Sequence, residues 1–435
     1  MRVPGAVVVA VVVVLVSLAC DPPPLNGEGE GEGEGEGEGE AGPSGLDVDV
    51  GPDDLPCEFP AAWPIAVPSQ EHPWILHLRD ESERELGAEM MAAMDLAWGQ
   101  ETALGFPEPP GDEGACGDDG LFDVFLFRGS DIAYVDYMDI VVATPFSDVG
   151  PFMAIDYEVW PDSTMAHELN HAMQASCDWT ETAFIYEATS QFIEEALFGD
   201  DNLYRDVLFD YQSEASFAVD YDDGYTGYYM YGAAFYLLYL NEAVFAGDDT
   251  WLGRMWIGTR STEDPNGEYV EPDVEDVLDD MLQTARQMSF LDSVVEFARW
   301  RYYVGDNDDG RHFSEAAELD DDAKVPEIPL TIGVTDEANL SELGSLYLAL
   351  SGDADADVVV TVAGALDGAT LVAQGLPGLD GSDGQRIAGS DSFTVRLSST
   401  GERVLALTLL PPASREDPDV VERPRRPLSI AVTAP

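Results

Sequence analysis

Basic side chains are scarce in this chain: 19 Lys and Arg residues stand against 86 Asp and Glu residues, which leaves a formal net charge of -67. The seven glutamates of the Gly-Glu repeat at residues 27–40 explain only a small part of this charge, so the remaining chain is itself acidic. A surface of this sign repels phosphate groups and anionic lipid headgroups. The composition therefore excludes nucleic acid as a partner and any membrane attachment that depends on positive charge.

Long apolar runs are also missing. The most apolar segment, residues 6–16, is too short to cross a bilayer comfortably. It ends in Ser17-Leu18-Ala19-Cys20, which resembles a bacterial lipoprotein signal with Cys20 as the lipidated residue, although Ser17 stands where leucine is typical. Residues 1–20 are thus predicted to be a signal peptide, with ordinary secretion and a free Cys20 as the alternative. We expect the mature protein in the bacterial cell envelope, in the periplasm or on the outer surface, anchored through Cys20 to the membrane.

The Gly-Glu repeat in the segment after the signal has no apolar side chains to bury. Residues 21–56 contain a run of prolines followed by alternating Gly and Glu. Such a composition cannot form a core, and its like charges repel one another. This segment is predicted to be a disordered tether that holds a folded domain away from the membrane.

Cysteine is rare as well, with four in the whole chain. If Cys20 carries the lipid, an odd number remains in an oxidising compartment: Cys57, Cys116 and Cys177. One disulfide and one free thiol is the simplest outcome. A Cys57–Cys116 bond is favoured because Cys177 lies at the end of a predicted helix and would be buried, but the sequence does not determine the pairing.

The chain has only five histidines, yet two of them form a motif. His167-Glu168-Leu169-Asn170-His171 places two imidazoles at positions i and i+4, which share one face of an α-helix. Both imidazoles can bind one Zn²⁺ through Nε2, while Glu168 reaches a water molecule on the ion. The alternative is an amphipathic helix on which two histidines are merely half-buried. We favour a zinc site, with Zn²⁺ as the cofactor.

A catalytic zinc site needs a third protein ligand and an open position. Residues 181–198 are predicted to form the next helix, which contains Glu187-Ala188-Thr189-Ser190-Gln191 and ends near Gly199. His₂Glu is one of the known ligand sets of catalytic zinc, so Glu187 is predicted to be the third ligand. The alternatives within the same region are Cys177, Asp178, Glu181 and Glu194.

These residues resemble the gluzincin metallopeptidases, the thermolysin-like group, in which the glutamate ligand opens an Exx[ST][DE]-like segment. Glu187 and Ser190 match that segment, whereas Gln191 replaces the acidic residue that orients a ligand histidine in such enzymes. The resemblance implies that Glu194 or Glu195 takes over this orienting contact. The metzincin pattern would make Cys177 the third ligand by its spacing, but Gln174 stands where that pattern needs glycine.

A narrower resemblance extends over roughly residues 70–350. The run from His167 to Gln174, then Trp179, then the segment that begins at Tyr186, is similar to a family of metallopeptidase-like envelope proteins of myxobacteria and other bacteria. That family has a tyrosine-glycine helix behind the zinc site, and residues 228–235 fit this pattern. In gluzincin-like enzymes a tyrosine stabilises the oxyanion, so the resemblance implies Tyr228 or Tyr231 as that donor. Core aromatic residues are the alternative reading of both tyrosines.

Hydrophobic periodicity predicts an α+β fold: a small N-terminal mixed sheet with a helix, a helical lobe that carries the HExxH motif, and a C-terminal antiparallel β-sandwich. The catalytic domain is expected over residues 57–325 and the sandwich over residues 326–435. In the first part, strands are predicted at Trp74–Leu78, Phe122–Phe127, Ile132–Thr144 and Phe152–Tyr157, with a helix at Glu83–Leu104.

The helical lobe and the sandwich have equally distinct patterns. Helices are predicted at Thr164–Ser176, Glu181–Phe198, Tyr229–Val244, Trp251–Ile257, Val274–Gln287 and Phe290–Tyr303. Strands are predicted at Ser345–Leu350, Val358–Val362, Thr370–Ala373, Ser392–Leu397, Val404–Leu410 and Leu428–Val432. The closing arginines, Arg423, Arg425 and Arg426, are expected to form a solvated patch.

Two functions follow from this sequence. The first is a zinc-dependent peptide hydrolase tethered to the bacterial cell envelope, acting as a monomer on a peptide or protein substrate, with Glu168 as general base. The second is a non-catalytic envelope protein that uses a degenerate peptidase fold for binding or adhesion. Intact His167, Glu168, His171 and Glu187 favour the first, because a degenerate site would be expected to have lost one of them.

Overall fold

The structure is a computed structural model, and it describes the chain from residue 62 to the C-terminus with several gaps. The described ranges are 62–111, 120–129, 133–140, 149–159, 162–199, 202–221, 228–260, 262–263, 269–270, 272–319, 323–376, 386–388, 392–412 and 423–435. Within these ranges, no helix combines the length and the apolar character that a membrane span requires. The predicted signal, the tether, Cys20, Cys57 and Cys116 lie outside the described residues.

The first part of the described chain is a mixed sheet, as predicted, but it has five strands where the sequence predicts four. Its strands are β1 (Ile65–Pro68), β2 (Trp74–Leu78), β3 (Phe122–Leu126), β4 (Ala133–Ile140) and β5 (Val149–Ile155), in the spatial order β1-β2-β3-β5-β4. β2, β3 and β5 are parallel to one another, whereas β1 and β4 run antiparallel at the two edges. The helix α1 (Arg84–Ala103) connects the parallel strands β2 and β3, as a parallel connection requires.

The middle of the chain is helical. It contains α2 (Asp162–Gln174), α3 (Ala183–Phe198), α4 (Tyr204–Ser213), α5 (Tyr229–Gly232), α6 (Ala234–Tyr239), α7 (Trp251–Gly258), α8 (Val274–Arg286) and α9 (Phe290–Trp300). A two-stranded ribbon of β6 (Thr262–Glu263) and β7 (Tyr269–Val270) follows α7. Polar caps fix several ends: Ser289, for example, accepts a hydrogen bond from the backbone N–H of Asp292 at the start of α9.

The helix predicted over residues 229–244 is divided in the structure. α5 and α6 are separated at Ala233, and a π-helical turn, Leu240–Val244, ends the segment. The strand β1 and the helix α4 were not predicted. β1 is a short edge strand with weak alternation, and α4 is polar on much of its surface, so neither produces a strong periodic signal.

One hydrophobic core joins the sheet to the helices. Trp74, Phe122 and Met153 from the sheet belong to the same buried cluster as residues of α1, α2, α3 and α6. The opposite face of the sheet has a smaller cluster around Trp63 and Phe152. Because one face of the sheet packs directly on the helices, the position of α2 depends on both parts of the fold.

The C-terminal part is a sandwich of two sheets. The first sheet contains β8 (Glu327–Thr331), β10 (Ser345–Ser351), β12 (Thr370–Gly375), β13 (Arg386–Ala388) and β15 (Glu402–Leu410), in the spatial order β13-β12-β15-β10-β8. The second sheet contains β9 (Thr335–Leu340), β11 (Asp357–Gly364), β14 (Ser392–Arg396) and β16 (Arg426–Thr433), in the spatial order β14-β11-β16-β9. Among the described strands of the sandwich, only β8 and β10 pair in parallel. β8, β9 and β13 were not predicted, whereas the six predicted strands are confirmed. The fold class is therefore α+β, as the sequence predicts.

The sandwich packs against the helices through buried contacts. The hydroxyl of Tyr347 in β10 donates to the carbonyl of Ala298 in α9 over 2.7 Å. The backbone N–H of Ser345 donates to the carbonyl of Ala215 over 2.7 Å. Val325, at the predicted domain boundary, is buried in the same apolar cluster as Tyr347. The two parts therefore form one continuous packed structure at this boundary.

The expectation of a solvated arginine patch is wrong for Arg423 and Arg426, whereas Arg425 is exposed as expected. Arg423 lies between two carboxylates, with Nε 2.5 Å from Asp220 and Nη2 2.7 Å from Glu275. Arg426 pairs with Glu342 and Asp367. Arg425 lies over the ring of Phe217. These arginines are close in sequence, but the contacts that bury Arg423 come from residues more than a hundred positions away, which no local pattern reveals.

Candidate metal centre

Two adjacent helices bring the predicted zinc ligands together. α2 carries His167 and His171 one turn apart, and α3 carries Glu187 in its first half. α2 begins and ends two residues before the predicted bounds, whereas α3 begins two residues late and ends at Phe198 as predicted, with Gly199 as its C-cap. We call His167, His171 and Glu187 the donor cluster. Within the described ranges, it is the only group of three or more possible metal ligands that converge on one point.

The distances within the donor cluster suit a zinc ion. Oε2 of Glu187 lies 3.1 Å from Nε2 of His167 and 3.4 Å from Nε2 of His171. The ligand atoms of the three residues all lie within 4.8 Å of one another. Atoms that each bind zinc at about 2.1 Å in a tetrahedron are about 3.4 Å apart. Two nitrogen donors and one carboxylate oxygen also form a known catalytic zinc set, so the residues present fit this ion.

Glu194 occupies the second nitrogen of His167. Nδ1 of His167 lies 2.8 Å from Oε1 of Glu194. Nε2 of Gln191 donates to the other oxygen of Glu194 over 2.7 Å. The orienting contact expected from Glu194 or Glu195 is therefore made by Glu194. Gln191, which replaces the expected acidic residue, holds Glu194 in place.

The second nitrogen of His171 has neutral partners. Its Nδ1 lies 2.9 Å from Oε1 of Gln174 and 3.2 Å from Oγ of Ser190. Gln174 is one turn further along α2, and Ser190 is the residue that matched the gluzincin segment. A side chain that accepts a hydrogen bond from Nδ1 leaves the lone pair of Nε2 available to a metal.

Burial and charge shift the pKa values of the cluster in opposite directions. Burial opposes the charged form of His167, but hydrogen bonds and charges of Glu187 and Glu194 outweigh it and raise its pKa well above the ordinary value. Burial likewise opposes the charged form of Glu187, but His171 and His167 lower its pKa to about 2. Burial raises the pKa of Glu168, against the influence of both imidazoles. The low pKa of Glu187 keeps its carboxylate negatively charged, which favours a cation in the donor cluster.

The two tyrosines differ in position. The ring of Tyr231 stacks on the ring of His167, with their centroids 6.0 Å apart. Tyr228 precedes α5 and is 38% exposed, and its ring centroid lies 6.3 Å from that of Tyr231. Tyr231 thus contacts a residue of the donor cluster, whereas Tyr228 lies further out, toward solvent.

The alternative ligands are placed elsewhere. Cys177 is completely buried, and burial raises the pKa of its thiol to about 11. Its sulfur lies 3.9 Å from the hydroxyl of Ser176, and the donor cluster does not include it. Glu194 contacts the far side of His167. Asp178 accepts hydrogen bonds from Thr180. The convergence of Glu187 with both histidines thus favours it over the alternatives.

Sequence reasoning missed a buried carboxyl group behind the motif helix. Glu101 of α1 is completely buried and accepts a hydrogen bond from Nδ2 of Asn170 over 2.9 Å. A signal was present in the sequence: Met94, Ala97, Trp98 and Glu101 follow one another at helical spacing, and the first three form a buried stripe. A glutamate on an otherwise apolar helix face marks a buried polar contact.

Comparison with known proteins does not assign this chain to a family. No protein-family model and no curated protein matches the sequence. Among solved structures, a periplasmic inhibitor of g-type lysozyme from Aeromonas hydrophila is 14% identical, and the match covers 25% of this chain and 94% of that chain with a TM-score of 0.19. The pre-peptidase C-terminal domain of a collagenase from Bacillus anthracis is 12% identical over 25% of this chain and 92% of that chain, with a TM-score of 0.17. Similarities this weak carry no argument about fold or function.

Proposed function

We propose that this chain is a zinc-dependent peptide hydrolase of the bacterial cell envelope, anchored through a lipid on Cys20. The observation that carries the proposal is the convergence of Nε2 of His167, Nε2 of His171 and Oε2 of Glu187, with Glu168 beside them on α2. The ligands come from two helices, and their separations suit one ion.

Each residue of the site has a separate role in the proposed reaction. His167, His171 and Glu187 would hold the zinc ion, which lowers the pKa of a water molecule to about 7 and polarises a carbonyl group when it is bound. Glu168 takes a proton from the attacking water and delivers it to the nitrogen of the leaving amine as the peptide C–N bond breaks. The hydroxyl of Tyr231 or Tyr228 donates a hydrogen bond to the carbonyl oxygen as negative charge develops on it.

The position of Tyr231 favours it as the first tyrosine to test. Its ring stacks on the ring of His167, whereas Tyr228 is more exposed. Tyr228 remains a candidate because a mobile or exposed donor can move toward a bound substrate.

The first experiment measures metal content and peptide hydrolysis on the same purified full-length protein. Wild type is expected to contain about one zinc ion per chain and to cleave members of a peptide library. Glu168→Gln keeps the ligands and removes the base, so it should retain zinc and lose activity by about 100-fold or more. Glu187→Ala removes a ligand and should lose both zinc and activity.

Glu181→Gln is the matched control, because Glu181 is a buried acid near α3 that lies outside the donor cluster. It should leave zinc content and activity unchanged. Wild type without zinc, or zinc that persists in Glu187→Ala, would reduce the donor cluster to a buried ion pair and remove the basis of the proposal. Zinc binding without cleavage of any peptide would favour the binding protein considered from the sequence.

A further inference from the structure

A chain of buried hydrogen bonds runs from His171 to α1. Nδ1 of His171 lies 2.9 Å from Oε1 of Gln174, Nε2 of Gln174 donates to Oδ1 of Asn170 over 2.8 Å, and Nδ2 of Asn170 donates to Oε2 of Glu101 over 2.9 Å. Gln174, Asn170 and Glu101 are each 0% exposed. Groups shielded from water in this way depend on one another for hydrogen bonds.

The neighbouring groups determine which atoms donate and which accept in this series of hydrogen bonds. Nε2 of Gln174 also donates to the backbone carbonyl of Tyr186 over 3.1 Å, and a carbonyl can only accept. The amide oxygen of Gln174 must therefore face His171, and Nδ1 of His171 must carry the proton. The Nε2 of His171 is then left with its lone pair, which is the form that binds a metal.

Asn170 is held in one orientation by the groups at its two ends. Its oxygen accepts hydrogen bonds from Gln174 and, over 3.3 Å, from Ser190. Its NH₂ group points away from them, toward Glu101. Without an acceptor at Glu101, that NH₂ group would be buried and unpaired, which destabilises this orientation of the amide by about 1–3 kcal/mol. A rotated Asn170 would present its NH₂ group to the NH₂ group of Gln174 and would disturb the contact with His171.

Helix packing does not explain a carboxyl group at this position. The second oxygen of Glu101 is buried without a hydrogen-bond partner among the described residues. A buried carboxyl group with one hydrogen bond destabilises a fold relative to an apolar side chain of similar size. An apolar side chain would join α1 to α2 equally well, but it could not accept a hydrogen bond from Asn170.

We propose that Glu101 is a positioning residue for the metal site, acting through Asn170 and Gln174 to hold His171 with its proton on Nδ1 and its Nε2 directed toward Glu187. This proposal rests on the function proposed above and adds to the site a residue from α1, on the other side of α2. Glu101 does not touch the metal or the substrate. Its effect is on the tautomer and the orientation of a ligand.

The test compares full-length wild type, Glu101→Leu and Glu101→Gln by titration with cobalt(II) against a chelator. Cobalt is the probe because zinc has a filled d shell and absorbs no visible light, whereas the visible band of cobalt responds to ligand geometry. Glu101→Leu should weaken cobalt affinity on the order of 10-fold, as loss of a contact behind a ligand does, and should shift the visible band. Glu101→Gln should restore both, because its amide oxygen can accept the hydrogen bond from Asn170.

Glu83→Leu is the matched control on the same region of the fold. Glu83 is also a buried acid, next to the start of α1, and accepts a hydrogen bond from the backbone N–H of Arg79 over 2.6 Å. Its replacement should lower thermal stability and leave cobalt affinity and the visible band unchanged. If Glu101→Leu behaves like Glu83→Leu, Glu101 has only a structural role and the proposal is overturned.

A second measurement needs no variant of Glu101. In metal-free wild type at mildly alkaline pH, ¹⁵N spectra should show His171 protonated on Nδ1, with a proton that exchanges slowly. Protonation on Nε2 would contradict the proposal even if Glu101→Leu failed to fold. Wild type that binds neither zinc nor cobalt would overturn the metal site itself, whereas normal metal binding by a folded Glu101→Leu would overturn only the role of Glu101.

Discussion

At the residue scale, His167 lies between two carboxylates that have different tasks. Glu187 faces its Nε2 and belongs to the donor cluster, and Glu194 faces its Nδ1. A carboxylate on the far nitrogen fixes the ring and increases its basicity as a ligand. The sequence predicted this contact for Glu194 or Glu195, which are both within one turn of Gln191. Only the packed structure decided between them, because the roll of α3 against α2 determines which of two neighbouring side chains faces His167.

This arrangement predicts the behaviour of Glu194→Gln. The substitution keeps the size of the side chain but removes its charge, so we expect zinc affinity to fall by about 10-fold to 100-fold, measured by competition with a chromogenic chelator. The stoichiometry at saturating zinc should stay the same, because all three ligands remain.

The neighbouring substitution Glu195→Gln provides the control for this change. Glu195 lines a small pocket with Tyr204 and Glu315 rather than facing the donor cluster. Burial raises the pKa of Glu195 to about 7, so the comparison is made at pH 8, where this carboxyl group is mostly charged. The same substitution one residue further along α3 should then leave zinc affinity within about twofold of wild type. Equal losses of affinity in the two variants would show that the general negative charge of α3 matters, and not the contact between Glu194 and His167.

At the scale of elements, α5 approaches α4 so closely that only glycine fits between them. A Cβ atom at Gly232 would overlap the Cβ of Tyr211 and would lie 3.1 Å from the carbonyl oxygen of Val207. Tyr231, which stacks on His167, is the residue before this glycine. The distance between two helices thus sets the position of an aromatic side chain at the candidate metal site.

Gly232→Ala is therefore expected to lower the free energy of unfolding by about 1–3 kcal/mol, the usual result of overpacking. It should also move Tyr231, and in the proposed enzyme reduce the rate of peptide cleavage more than it reduces zinc affinity, since no ligand lies on α5. Denaturant titration and cleavage assays on the same preparation measure both effects.

Gly99→Ala is the same substitution, but it is expected to raise the free energy of unfolding. Gly99 lies on the exposed face of α1, where an added Cβ would meet only Nε2 of His72, at 3.9 Å. Alanine should stabilise the helix there by about 0.5–1 kcal/mol. A Gly232→Ala variant that is as stable as Gly99→Ala would contradict the close approach of α4 and α5.

At the scale of the whole molecule, Arg423 joins the end of the sandwich to the helical part. Its side chain is 8% exposed and contacts Asp220, which follows α4, and Glu275 in α8. Burial and the charge of Asp220 raise the pKa of Glu275 well above its ordinary value, while Arg423 acts in the opposite direction. Removing the arginine would leave two half-buried carboxylates that repel each other.

Arg423→Leu should therefore lower the free energy of unfolding at neutral pH by about 3–5 kcal/mol. A carboxyl group whose pKa is higher in the folded state than in the unfolded state lowers the free energy of unfolding as the pH rises above its unfolded pKa, about 4. The loss of unfolding free energy in Arg423→Leu should thus be small near pH 4 and largest at neutral pH. Denaturant titration at both pH values measures this difference.

The exposed arginine Arg396 provides a matched control within the same sandwich. It pairs with Asp357 at the surface, and surface pairs contribute little, so Arg396→Leu should change stability by less than about 1 kcal/mol at either pH. If Arg423→Leu loses the same amount of stability at both pH values, lost packing causes the destabilisation, and not the charges of Asp220 and Glu275 that the arginine no longer neutralises.

The local sequence pattern determined most of the helices and strands and the candidate metal ligands. Helical spacing placed His167 and His171 on one face of α2, the periodicity of residues 181–198 placed Glu187 on the next helix, and alternation located six strands of the sandwich. These features depend on residues close together in the chain, where backbone geometry dictates which side chains share a face.

Tertiary structure alone decided the contacts that connect distant segments. It brought Glu101 of α1 behind Asn170, set Gly232 against Tyr211, and buried Arg423 between two carboxylates. Each of these contacts depends on the angle and separation of elements that pack together, and a one-dimensional pattern contains neither quantity. The identities of the candidate ligands were thus present in the sequence, whereas the support that orients them arises only when the helices and sheets are assembled.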